Sequence, residues 1–373
     1  MLAPGYVIVR GGRIAAVAQG RPARRPDIAL PSGALLPGLV DLQVNGCFGV
    51  EFQEPDETAW AEAARRLPET GTTAFLPTVI TAPVGALARI LRAASGFPPA
   101  HGGARVLGIH LEGPFISRKW RGAHNERWIC RPAPAAVEEL ISAAAGHLRL
   151  VTLAPELDGA LDAIGRLTAS GAVVSVGHSD ATARQVAAAA EHGARMVTHL
   201  FNAQRPLHHR EPGVVGAALT DSRLTSGLIA DLYHVAAPAC QIAFAAAPGR
   251  IAIVTDAAAC AGMPPGRYLL GGQPIELPPG DGAPPVRPDG TMAGSALRMD
   301  AGVSNMVSVG IGLEAAVSAA TRVPADLIGR GDLGRIAPAA AADLTWLGDD
   351  LRARATWIGG ELVFGPGEEL RGH

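Results

Sequence analysis

Apolar runs recur along most of the chain, at 35–44, 73–79, 106–111, 150–154, 173–176, 196–200, 227–230 and 251–254. Between most of them lie segments of helical pattern, such as 56–67, 160–170 and 181–191, commonly closed by a glycine (Gly71, Gly171, Gly193) suited to ending a helix. Strand and helix alternating eight times predicts an α/β fold of the (β/α)8 barrel type. A doubly wound open sheet is the competing architecture, and it would lack a closed ring of strand ends.

The two ends of the chain follow another pattern. Short β-type runs at 6–9 and 14–17 flank Gly11 and Gly12, and runs at 344–347, 355–358 and 362–364 surround Gly359 and Gly360. These are hairpin signals. They predict a small β-sandwich assembled from both termini, 1–34 with 335–373, around a barrel over 35–334. The Pro/Gly-rich segment 277–290 is expected to be a loop after strand eight, either a lid or an insertion.

Composition sharpens this picture. Hydrophobic residues make up 48% of the chain but aromatics only 4%, so Ala, Val, Leu and Ile must build the core and disorder is disfavoured. A net charge of −2 argues against a nucleic-acid partner. The one tight basic cluster, Arg21, Arg24 and Arg25, is flanked by prolines and is expected to be a solvated loop. No stretch is long and apolar enough for a membrane span or a signal peptide; Arg10 and Arg13 interrupt the N-terminus, and 236–247 is short and carries Pro238 and Gln241. Cys47, Cys130, Cys240 and Cys260 are too scattered for a zinc ribbon or disulfide framework, which suits a reducing cytoplasm.

The chemistry gathers at strand ends. The run 104–112 ends in His110, Leu111 and Glu112 before Gly-Pro, and His110 and Glu112, two residues apart, share a face. An anionic oxygen on a rigid strand end suits a divalent metal, and His178 and His199 end strands of the same kind. Placed on a barrel, the strand ends deliver Asp41, Gln43, Asn45, His110, Glu112, His178, His199, Asn202, Asp231, His234 and Asp256 to one mouth, where such barrels keep their active sites.

Nine motifs then resemble the amidohydrolase superfamily, and within it the deacetylases of N-acetylated sugar phosphates: LLPGLVDLQVNG from Leu35, GIHLEGPFI from Gly108, the Gly-Ala-His-Asn turn at 122–125, VGHSDAT from Val176, THLFNA from Thr198, REPGVVGA from Arg210, IADLYHV from Ile229, VTDA from Val254 and TMAGSAL from Thr291. Many amidohydrolases carry His-x-His at the end of strand one. Gln43 and Asn45 stand at those positions here, and amide oxygens are weaker ligands than imidazole, so the resemblance implies the single-metal form.

That resemblance implies one divalent ion per subunit on Glu112, His178 and His199, with zinc expected first and iron, cobalt or manganese as alternatives. It implies metal-assisted amide hydrolysis, with Asp256 as general base and then acid and His124 polarising the acetyl carbonyl. Sugar contacts fall on Ala123, His124, Asn202, Ala203, Asp231 and His234 and on the backbone of Met292, Ala293 and Gly294. Arg210 would hold the phosphate, supplied across the two-fold interface of a homodimer. The expected reaction is hydrolysis of N-acetylglucosamine 6-phosphate to glucosamine 6-phosphate and acetate. The galactosamine isomer, a cyclic amide and a non-catalytic scaffold are the competing expectations.

Overall fold

The structure, a computed structural model, describes residues 4–280 and 282–366. The outermost parts of the expected terminal sandwich, 1–3 and 367–373, and residue 281 of the expected loop lie outside these.

Eight parallel strands form the centre: β1 (Leu39–Val44), β2 (Thr72–Ile80), β3 (Ile109–Glu112), β4 (Leu148–Leu153), β5 (Val173–Val176), β6 (Ala194–Val197), β7 (Thr225–Ile229) and β8 (Ile251–Val254). Each pairs with the next in order. The ring closes just beyond the ends of β8 and β1, where Asp256 N donates to Gln43 O at 2.9 Å and Asn45 N to Ala257 O at 2.8 Å. This is the barrel, and the open-sheet alternative falls.

Helices start and stop where local chemistry dictates. Asp56 Oδ1 accepts from the amides of Thr58 and Ala59 to cap Glu57–Arg66, and Thr182 with Gln185 forms a capping box on Ala183–Glu191. Gly71, Gly171 and Gly193 follow helical segments with positive φ, as expected. No helix among the described residues is long and apolar enough to cross a membrane.

The run 35–44, expected as one barrel strand, is two. Ala34–Pro37 pairs antiparallel with Leu344–Leu347, and only from Leu39 does the chain join the barrel. The break is Gly38, where a Cβ would lie 2.1 Å from Thr73 Oγ1, so only glycine lets the chain cross between the sheets. Leu344–Leu347, Ala353–Ile358 and Glu361–Phe364 complete a four-stranded antiparallel sheet from both ends of the chain. Ile14 of the hairpin Gly5–Arg10 and Arg13–Gln19 packs with Leu344, Trp346 and Trp357 against it. Arg105 binds Asp343 through two hydrogen bonds of 2.7 and 3.0 Å and so ties this sheet to the barrel.

Below the mouth, a chain of polar side chains crosses the barrel interior. Thr78 on β2, His110 on β3, Thr152 on β4, Thr198 just after β6 and Ser175 on β5 are linked in that order by contacts of 3.2, 2.8, 2.7 and 2.6 Å. His110, expected at the mouth, is therefore a deeper, hydrogen-bonded residue: the two-residue repeat that gives it Glu112's face also sets it one layer lower. Burial pushes its imidazole down to about 4, so it is neutral. Asp41 also belongs to the lower layer, accepting from Thr255 Oγ1 at 2.6 Å.

Burial pushes Asp41 up to about 7, against the pull of its hydrogen bonds from Thr255. An unfolded aspartate titrates near 4, so between about pH 4 and 7 the folded chain holds more protons than the unfolded one. Stability contributed here is greatest at low pH and is lost as pH rises through that window. Asp41→Asn, whose Oδ1 can still accept from the amides of Gln43 and Thr255, removes this dependence. Its stability relative to wild type should therefore rise from pH 4 to pH 7, by on the order of 4 kcal/mol at most, in urea denaturation at each pH. A difference flat with pH would show that Asp41 is ionised in the fold.

Candidate active site

The C-terminal ends of the strands meet as a barrel requires. Gln43 and Glu112 lie in β1 and β3, Asn45 just follows β1, and His178, His199 and Asp256 stand two residues beyond β5, β6 and β8. These last three take positive φ, at 48°, 27° and 51°. For non-glycine residues this costs about 1–3 kcal/mol each, sustained by the bonds around them.

Three donor atoms converge at the centre. Glu112 Oε1 lies 3.2 Å from His178 Nε2 and 3.1 Å from His199 Nε2, and the two nitrogens are 3.1 Å apart. The far side of each ring faces a backbone carbonyl, Trp120 O at 2.9 Å for His178 Nδ1 and Asn202 O at 3.2 Å for His199 Nδ1. A carbonyl only accepts, so Nδ1 carries the proton and each neutral ring turns its Nε2 lone pair toward the carboxylate. Three lone pairs facing one another call for a cation. A tetrahedral ion with bonds of about 2.0–2.1 Å has ligand edges of about 3.3–3.4 Å, close to this triangle, so the donor set fits a divalent metal. The electrostatic surroundings make the same demand for positive charge. Burial alone would raise the Glu112 carboxyl, but the two histidines hold it well below the usual range. Burial works against a charged His199, yet Glu112 raises it.

Asp256 sits beside this triangle under different control. Its Oδ1 accepts from Asn45 Nδ2 at 2.7 Å and Gln43 Nε2 at 2.9 Å, which leaves Oδ2 outside both bonds. Gln43 Nε2 also donates to Glu112 Oε1 at 3.1 Å. Because carboxylates can only accept, the two amides must present N–H here, and their oxygens are buried without a hydrogen-bond partner among the described residues. Burial and the neighbouring Glu112 charge raise Asp256 to about 6. A carboxylate poised there can take up and release a proton near neutrality.

His124 enters from the loop after β3. Its Nε2 is 3.9 Å from Glu112 Oε2, and Glu112, His124 and His178 also bring ligand atoms within 4.8 Å of one another. The hydrogen bonds separate it from the two histidines above. Thr81 N donates to its Nδ1 at 3.4 Å and Thr81 Oγ1 lies 2.7 Å from the same atom, so the proton resides on Nε2 and the ring offers a donor, not a lone pair, to the pocket. Burial, with the His178 ring beside it, pushes His124 down to about 3.

Ala123, His124, Asn202, Ala203, His234, Met292 and Gly294 all line the same pocket as the triangle and Asp256. Asp231 stands behind His234, accepting from its Nδ1 at 2.6 Å and so turning Nε2 outward. Ala293 is wholly buried among Ala258, Leu270 and Ile275. Arg210 is exposed and outside the pocket, and its neighbour Glu211 accepts from the amides of Ala183 and Gly213. Beyond the hairpin Gly266–Leu270 and Gln273–Leu277, Val286 pairs with Glu276 and with Met292. Arg287 and Gln273 both donate to Ala123 O, bracing the loop that carries His124. Lys119 and Trp120 escape strand-end reasoning: Trp120 acts through its carbonyl, which leaves no mark in a sequence, and Lys119 sits in a loop. Thr81 directly follows β2 and is within reach of that reasoning, but the apolar run 73–79 stops short of it.

With this geometry in place, the chain can be set beside known proteins. The amidohydrolase family profile matches residues 34–363. N-acetylglucosamine-6-phosphate deacetylase of Bos taurus is 41% identical over 347 residues, covering 88% of this chain and 83% of the relative. N-acetylgalactosamine-6-phosphate deacetylase of Escherichia coli O157:H7 is 38% identical over 332 residues, covering 88% and 87%. Among solved structures, a mutant N-acetyl-D-glucosamine-6-phosphate deacetylase from Mycobacterium smegmatis in complex with N-acetyl-D-glucosamine-6-phosphate superposes with a TM-score of 0.90 at 35% identity, covering 96% of this chain and 94% of that one.

The contacts of Thr81 make the His124 tautomer measurable. In ¹⁵N spectra of histidine-labelled protein, His124 should show a protonated Nε2 and a bare Nδ1. Thr81→Val removes the hydroxyl and should shift the pair toward a tautomer mixture, whereas Thr81→Ser should keep it. An identical nitrogen pattern in Thr81→Val would mean that the hydroxyl does not set the tautomer and that the Thr81 amide alone does.

Proposed function

The chain belongs to the amidohydrolase family, and we propose that it hydrolyses the acetamide of N-acetyl-D-glucosamine 6-phosphate, giving D-glucosamine 6-phosphate and acetate. One arrangement carries this reading: the Glu112, His178 and His199 triangle with the free oxygen of Asp256 and the Nε2–H of His124 facing one pocket. Relatives that share most of the chain act on N-acetylated amino sugar phosphates.

Glu112, His178 and His199 would hold one divalent ion, zinc by preference for this N/O set, which supplies Lewis acidity when bound. The remaining work falls to the chain. Asp256, ionised near neutral pH, takes a proton from the attacking water on Oδ2 and returns it to the departing amine nitrogen. His124 donates from Nε2 to the acetyl oxygen as it gains negative charge; being neutral, it gives up no proton permanently. His234, fixed by Asp231, and the loop 202–203 face the sugar. A sugar phosphate is retained inside cells by its charge, which favours a cytoplasmic enzyme.

The phosphate would be gripped by Arg210 of a second copy in a two-fold dimer. Supporting this, Arg210 lies outside its own pocket, and Glu211, the obvious local partner, is committed to backbone amides. Leu207 nearby exposes 54% of its surface.

Acetate release from the glucosamine and galactosamine isomers, each with and without the phosphate, tests the activity. Chelated enzyme should be inactive and recover with one equivalent of metal. Asp256→Asn should still bind metal but lose about 10²–10⁴-fold in turnover. No acetate from N-acetylglucosamine 6-phosphate, or a preference for the galactosamine isomer, would overturn the assignment, and near-normal turnover of Asp256→Asn would assign the proton to another group.

Loss of the Arg210 contact should cost about 1.5–3 kcal/mol, mainly in KM because the phosphate lies away from the bond that breaks. Mixing Arg210→Ala with Asp256→Asn distinguishes the two sources of the arginine. After subunit exchange at equal amounts, and at substrate well below KM, where Arg210→Ala is itself impaired, a residue acting across the dimer restores about a quarter of wild-type activity. No recovery despite demonstrated exchange would place the arginine in its own chain's site.

A further inference from the structure

The chain contains 31 arginines and a single lysine, Lys119. Nineteen of its 373 residues line the active-site pocket and Lys119 is one of them, so a randomly placed lysine would fall there about one time in twenty. It is also the only lysine or arginine among the residues lining the pocket. The arginines on either side turn elsewhere: Arg118 and Arg121 both pair with Glu126, at 3.5 and 3.4 Å. We propose that Lys119 is a specificity-determining contact for the phosphate of the substrate, contributed by the same chain that carries the metal ligands.

The charge balance of the pocket points this way. Its lining otherwise brings the carboxylates of Glu112 and Asp256, which oppose the approach of a phosphate dianion. Lys119 is placed to move. Its side chain is 65% exposed, and Nζ rests on Asp180, 3.2 Å from Oδ1 and 3.1 Å from Oδ2. An ion pair this exposed contributes little to stability, so leaving it is cheap. Asp180 is not stranded when Lys119 leaves, because Trp120 Nε1 donates to it at 2.8 Å and Arg205 Nε at 3.2 Å. The ammonium thus has a resting partner that can release it to an incoming anion, while the loop carrying His124 stays anchored through Trp120. This inference rests on the sugar-phosphate reading and adds a cation to the one that reading assigns to a second copy.

A single lysine makes the test direct. Protein labelled with ¹³C-lysine gives one ε-methylene signal, which should shift on titration with glucosamine 6-phosphate and not with glucosamine. In steady-state assays of the metal-loaded enzyme, Lys119→Met should reduce the kcat/KM ratio of N-acetylglucosamine 6-phosphate to N-acetylglucosamine by about ten- to a hundredfold, through KM, and Lys119→Arg should restore most of it. An unmoved lysine signal, or an equal loss for both sugars, would show that Lys119 only supports the loop and overturn the proposal. These outcomes are separable from failure of the proposed function, in which wild-type enzyme itself releases no acetate from the sugar phosphate.

Discussion

The site depends on one electrostatic problem: a carboxylate oxygen and two imidazole lone pairs held within about 3.2 Å of one another, which only a positive charge can reconcile. The surrounding structure keeps them there. Trp120 O and Asn202 O fix the tautomers of His178 and His199, so neither ring can relieve the conflict by turning its N–H inward. The left-handed backbone at both histidines is sustained by the same carbonyl contacts. Beneath them the linked hydroxyls and His110 fill the barrel with satisfied polar groups, a firm floor rather than a pliable apolar one.

Two buried carboxylates a short distance apart acquire opposite characters. Glu112 faces two imidazoles and is held low, whereas Asp256 faces Glu112 and is raised to about 6. Gln43 keeps them distinct by donating to both from one nitrogen. An imidazole at that position would offer a lone pair or a single N–H, and could not bridge both acids through one atom. The amides at the end of β1 therefore do more than leave ligand positions unfilled: they orient the Asp256 carboxylate.

The sequence by itself determined the barrel, because strand and helix periods alternate eight times and several helices carry their own glycine stop, and it placed Glu112, His178, His199 and Asp256 at one mouth, because strand ends on a barrel converge by geometry. It also marked both termini as hairpins. Tertiary structure alone decided depth and partnership. His110 and Glu112 share a face in any strand, and only the packed barrel shows that one is bonded into the floor and the other faces two imidazoles at the mouth. The run 35–44 keeps its apolar beat on both sides of Pro37 and Gly38, with Asp41 and Gln43 interleaved, and that pair alone does not reveal that the chain crosses there from one sheet to another; the reason is Thr73, a neighbour only in the fold. His124 owes its tautomer to Thr81, 43 residues away in sequence, and His178 owes its own to a main-chain carbonyl that any residue at 120 would possess. Periodicity records which way a side chain points. What it meets there is set by distant chain segments, and the proton positions on which the chemistry turns follow from those meetings.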